Sequence, residues 1–209
     1  MIKFKVTEEI QTPNVSNRYM GPGIHENVEM TRVEYAKTEK GSEYLAFYFM
    51  NEKQEQLSHT EWKIKMNKPL EEMEEGLVKF YTNITNEQVS RIDRIVTTFI
   101  PKETFQGVEA DTFEDFANKT IAVLGDHYKG IKIRIKVVYD KRNYTSLPPY
   151  TNYRWIETMA ISREKSEIEI LGKDKMAKDI PAKLEGANDV SNIIEQKATS
   201  SSVNESLPF

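Results

Sequence analysis

Apolar residues recur at every second position in the first part of this chain, at every third or fourth in the middle, and at every second again later. Val28 and Met30 alternate with polar neighbours, and Val33 and Tyr35 do the same in the opposite phase. The slip falls near Thr31 and Arg32, where a β-bulge would bend one long strand over residues 24–35. A polar turn at 38–42 leads into residues 44–50, where Leu45, Phe47 and Phe49 share one face and Tyr44, Ala46 and Tyr48 the other. After a second polar turn at 51–55, residues 56–64 predict a third strand, completing a meander. Residues 1–23 carry little periodicity, and Pro13, Gly21, Pro22 and Gly23 make them an irregular lead-in.

The period then changes. Residues 70–81 predict a helix opened by Glu71, Glu72, Glu74 and Glu75, acids that suit the positive end of a helix dipole. Thr85 or Asn86 is placed to cap a second helix carrying Val89, Ile92, Val96 and Phe99, stopped by Pro101. A third, over 112–124, aligns Phe113, Phe116, Thr120 and Val123 and ends at Gly125. The clearest strand follows, with Ile131, Ile133, Ile135 and Val137 alternating with Lys132, Arg134 and Lys136. A polar, aromatic loop at 140–154 precedes a fifth strand at 155–161, with a short extra strand expected at 166–171. Beyond Gly172 the chain turns polar; 198–205 is Ser-rich with the composition of a disordered tail, and 188–194 could form a transient helical turn.

Three strands, helices, then two strands is the order of the OB-fold, a five-stranded, partly open Greek-key barrel with helix between its third and fourth strands. The expected class is therefore mainly β with a helical insertion. Residues 1–172 form the barrel domain, the insertion occupies about 66–126, and 173–209 form a flexible tail. The bent first strand suits a small barrel, in which it serves both halves of the sheet.

Composition narrows the chemistry. With no cysteine, disulfides, thiolate catalysis and cysteine-bound zinc are excluded. His25, His59 and His127 show no metal-ligand spacing, and neither a phosphate-binding glycine loop nor a His-Glu-x-x-His pattern is present, so no cofactor or metal is expected. No apolar run approaches a membrane span and no signal segment is evident, so a cytoplasmic protein without a membrane partner is expected. The net charge of −4 hides a strong polarity. Residues 127–165 hold nine Lys/Arg against three Asp/Glu, residues 66–126 six against twelve, and residues 185–209 one against four. A metal-dependent nuclease could use the acids of the middle segment, but such clusters are common on helical surfaces.

A groove for single-stranded nucleic acid needs cations along the phosphates and rings on which bases stack. The fourth strand presents Lys132, Arg134 and Lys136 on the face opposite its Ile/Val face, and the second strand presents Tyr44 and Tyr48. The loop adds Lys141, Arg142, Tyr144, Tyr150, Tyr153 and Arg154. Oligonucleotide-binding barrels use their second and third strands, with the loop between strands four and five, as the binding surface. A solvated sheet surface would account equally for the strand-four cations, and Trp155 reads as core.

The segment Gly23-Ile24-His25-Glu26-Asn27-Val28, the turn at Gly41, the strand Tyr44-Leu45-Ala46-Phe47-Tyr48-Phe49 and the stretch from Val137 to Pro148 resemble phage single-stranded-DNA-binding proteins. The resemblance covers residues 23–62 and 130–160, and extends to the last residues: bacterial and phage members close an acidic tail with Pro-Phe, as Pro208 and Phe209 do here. It implies non-enzymatic, largely sequence-independent binding of single-stranded DNA in phage replication, recombination or repair. It also implies that Glu205, Leu207, Pro208 and Phe209 recruit replication or recombination proteins. Proline limits the entropy lost on docking, and the terminal ring and carboxylate offer an anchor. A strand-annealing protein and a structural virion module are the rival expectations.

Overall fold

The computed structural model describes residues 18–101, 105 and 107–179. The lead-in to residue 17 and the tail beyond Asp179, including the transient turn at 188–194 and the tip at Glu205, Leu207, Pro208 and Phe209, lie outside the described residues. Six antiparallel strands form one sheet: β1 (Gly23–Lys37), β2 (Glu43–Met50), β3 (Gln56–Trp62), β4 (Lys132–Tyr139), β5 (Thr145–Ser146) and β6 (Ile156–Thr158). The order is β3-β2-β1-β4-β5, with β6 also paired to β4. Two helices, α1 (Glu75–Phe99) and α2 (Phe113–Leu124), fill the connection between β3 and β4.

β1 divides its length between two partners. Its first half pairs with β4, from Gly23 opposite Val137 to Glu29 opposite Lys132, and its second half with β2, from Glu29 opposite Met50 to Lys37 opposite Glu43. The register against β2 shifts between Met30 and Arg32, where the alternation slips, and a second shift against β4 lies between His25 and Val28. These irregularities curve the strand around a core of Val28, Met30, Leu45, Phe47, Phe49, Leu57, Ile133 and Ile135. The sheet does not close by a backbone ladder: β3 and β5 meet through side chains, His59 Nδ1 lying 3.1 Å from Ser146 Oγ.

α2 begins where the sequence expects it, the Thr112 hydroxyl accepting from Asp115 N at 3.1 Å, and ends at Gly125 with φ of 43°. The two helices expected over 70–99 are instead a 3-10 turn (Leu70–Glu72) and the single helix α1. Thr85 and Asn86 could cap only where the chain breaks. No Gly or Pro interrupts 77–99, and an apolar stripe at helical spacing carries the helix through.

The extra strand expected at 166–171 does not form. Residues 161–175 instead cross the outer face of β4, burying Ile168 and Asp174 there. The compact unit runs on to Lys178. No helix among the described residues is long and apolar enough to cross a membrane.

Candidate functional site

The outer face of the meander carries rings. Strand alternation places Tyr44, Ala46 and Tyr48 of β2 on the face opposite Leu45, Phe47 and Phe49, the tyrosines half-buried and Ala46 buried, and their β3 partners are Trp62, Thr60 and Ser58. Tyr44 and Trp62 lie 4.9 Å apart between ring centroids, and Trp62 keeps 49 % of its surface in water. On β1, past the bulge, Arg32 stands opposite Tyr48 with its guanidinium 4.0 Å from the ring centre. Glu34 accepts a hydrogen bond from the Tyr48 hydroxyl and pairs with Arg32 at 3.2 Å.

Along the outer edge of β3 this face meets the loop after β4. Asp140 Oδ1 accepts from the backbone N–H groups of Arg142 and Tyr144, both at 2.8 Å, and Asn143 takes φ of 64°, which Asn tolerates better than most residues. This tight turn holds Lys141, Arg142 and Tyr144 in solvent, Tyr144 at 70 % exposure. Two grooves flank it. One, of about 580 Å³, is lined by Thr60, Arg91, Lys141, Arg142, Tyr150 and Lys173 among others. The second, of about 510 Å³, is lined by Tyr19, Ser58, Tyr144 and Lys178 among others. Ser58 and Thr60 sit between Tyr48 and Trp62 on one face, so the ring-bearing face and both grooves share a border.

The first groove is lined by five Lys/Arg and three acids, Glu61, Asp140 and Asp174. Glu61 accepts from Arg91 Nε at 2.6 Å and Nη2 at 2.8 Å, and His59 Nε2 lies 3.1 Å from it. Burial raises the Glu61 carboxyl, but these partners outweigh it and hold the pKa down at about 2. Asp174 is likewise pushed up by burial and held below its ordinary value by Lys136, the Leu171 N–H and the Tyr150 hydroxyl. Asp140, the third acid in the wall, accepts from the two backbone N–H groups of its own turn, and Lys141 and Arg142 make no side-chain hydrogen bond or ion pair among the described residues. Lys173 lies over two rings, 4.0 Å from the centre of Tyr150 and 4.1 Å from that of Tyr153.

Two cations expected on an open face of β4 are buried. Arg134 pairs with Glu157 and Glu26 and reaches the Ile161 carbonyl. Lys136 pairs with Asp174 at 2.8 Å and donates to the Glu169 carbonyl at 2.6 Å. The segment that crosses β4 brings Asp174 and these carbonyls, so the charged face became an interior. Lys132 remains exposed but pairs with Glu29 at 2.9 Å. Arg154 pairs with Glu167 and lines a separate polar pocket with Arg94, whose guanidinium grips the carbonyls of Thr151 and Tyr153. The structure thus gathers Tyr44 and Tyr48 on one face, and Lys141, Arg142, Tyr144 and Tyr150 at its border; Tyr153 lines the separate polar pocket, its ring 5.7 Å from that of Tyr150. The structure sets Lys132, Arg134, Lys136 and Arg154 apart.

Trp62, Arg32, Lys173 and Tyr19 join the site without having been expected there. Trp62 alternates with Leu57, His59 and Glu61, so its outward phase was readable; its position opposite Tyr44 needed the register. Lys173 follows Gly172 in a stretch whose polarity gives no such signal. The chain matches no protein-family model and no curated protein sequence.

Proposed function

We propose that this chain binds single-stranded DNA, non-enzymatically and largely without sequence preference, along the outer edge of β3 and the ring-bearing face beside it. The observation that supports this best is the company that Lys141 and Arg142 keep. These exposed cations have no acidic partner among the described residues, and they lie beside Tyr144 and Tyr150 and, across Ser58 and Thr60, near Trp62, Tyr44 and Tyr48. Cations neutralise phosphates, rings stack on base faces, and neither reads base edges. The division of β1 between β4 and β2, with the His59–Ser146 seam between β3 and β5, supports reading the sheet as an OB-type barrel.

On the resemblance found in the sequence, the setting is phage DNA replication, recombination or repair in the host cytoplasm. Glu205, Leu207, Pro208 and Phe209 are then the segment that meets other replication or recombination proteins. The test is an anisotropy titration of labelled oligo-dT and of a duplex at two salt concentrations. Tighter binding to oligo-dT that weakens with salt is expected; equal affinity for the duplex would overturn the reading.

A further inference from the structure

We propose that the free half of α1 pairs with the same segment of a second copy of this chain, antiparallel about a two-fold axis. One stripe at helical spacing runs the length of α1 through Leu77, Tyr81, Ile84, Gln88, Ile92 and Phe99, yet burial begins only at Gln88. The thirteen residues before it, 75–87, extend about 20 Å. There Leu77 and Phe80 stay 50 % and 54 % exposed, and with Tyr81 and Ile84 they occupy the i, i+3, i+4 and i+7 positions that a helix partner covers. The same face that packs on the body thus continues past it, half-buried at Tyr81 and Ile84 and exposed at Leu77 and Phe80.

Charge selects the occupant. Glu71, Glu72 and Glu74 lead into the free half and Glu75 opens it, whereas Lys65 and Lys68 lie in the segment that starts from its root, where Lys63 is already paired with Glu43 at 2.9 Å. Gln88 Nε2 donates to the Trp62 carbonyl at 2.8 Å, which fixes the end of β3, and so Lys63, beside the point where the helix leaves the body. Lys65 and Lys68 make no ion pair among the described residues. In an antiparallel pair the acidic start of each helix falls at the basic root of the other, and the two-fold axis repeats that match. A parallel pair would set acids against acids. A helix pair of this length buries less than the ~1,600 Å² typical of a stable complex, so dissociation in roughly the micromolar range is expected. This dimer does not depend on the DNA reading.

Sedimentation equilibrium of the full chain over a hundredfold concentration range tests it. A reversible monomer–dimer equilibrium is expected, and Leu77→Asp with Phe80→Asp, both on exposed sites, should leave a folded monomer. Glu74→Lys with Glu75→Lys should weaken the dimer at least tenfold, and adding Lys65→Glu with Lys68→Glu should restore it. A wild-type chain that stays monomeric throughout, as it would if another protein covers this face, overturns the proposal. So does a dimer indifferent to the Leu77 and Phe80 changes, or a charge reversal that its counterpart fails to rescue.

Discussion

The ammonium of Lys136 meets the carboxylate of Asp174 at 2.8 Å with both side chains withdrawn from water. Removing one member of such a pair strands the other charge in the interior, at a cost of about 3–5 kcal/mol. Lys136→Met is therefore expected to lower unfolding free energy by that amount in urea titrations. Adding Asp174→Asn should recover part of it, since the amide keeps a hydrogen-bonding side chain beside Leu171 and Tyr150. Below its melting temperature, Lys136→Met should bind oligo-dT as the parent does. A loss of affinity in the folded variant would instead place Lys136 against the DNA.

Lys141 and Arg142 predict the opposite pattern. Both lie in solvent and neither has a side-chain partner among the described residues, so replacing them with Ala should leave the urea midpoint unchanged. For each phosphate left without its cation, the dependence of log affinity on log salt should flatten by about 0.7 for a single strand. An unaltered salt dependence in the double variant would remove the loop from the binding surface.

The contrast between these two pairs of residues marks how far the sequence could be read. The bulge near Thr31, the meander and the helix ending at Gly125 were legible because each rests on neighbours in the chain. Alternation also separated Arg134 and Lys136 correctly from Ile133 and Ile135. It could not show that a remote, largely polar stretch supplies Ile168 and Asp174 to cover the second face. Buried ion pairs join residues far apart in sequence, Lys136 and Asp174 here, and leave no local pattern. The loop cluster at 141–144 was readable for the converse reason: its exposure follows from a turn that closes on itself through Asp140.

The two tryptophans offer a direct optical test of the face. Trp155 is fully buried, its indole N–H donating to the Tyr150 carbonyl at 2.9 Å, whereas Trp62 is half exposed beside Tyr44. Stacking of a base on Trp62 should quench its fluorescence when oligo-dT binds, and Trp62→Phe should abolish most of that change. Trp62→Ala should weaken binding by about 1–3 kcal/mol, as for other stacking rings. Quenching that survives in Trp62→Phe would trace the signal to Trp155 and discount the meander face as a stacking platform.

Glu61 makes acid stability a test of how the edge of β3 is held. Its carboxylate binds Arg91 in two places and Gln88 at 3.2 Å, and His59 links it to Ser146 of β5. In the folded chain its pKa is held at about 2, while in the unfolded chain it returns to the ordinary value of about 4.3. The unfolded chain therefore takes up the proton first. The stabilisation is complete above about pH 4.5 and drains away as the pH falls toward 2, amounting to roughly 3 kcal/mol in full. Glu61→Gln should be less stable at neutral pH, because Arg91 loses its counter-charge inside the fold, and its urea midpoint should fall less than the parent's between about pH 5 and 3. If both proteins lose stability in parallel over that range, other carboxylates set the acid limit, and the grip of Arg91 on β3 adds little to the seam.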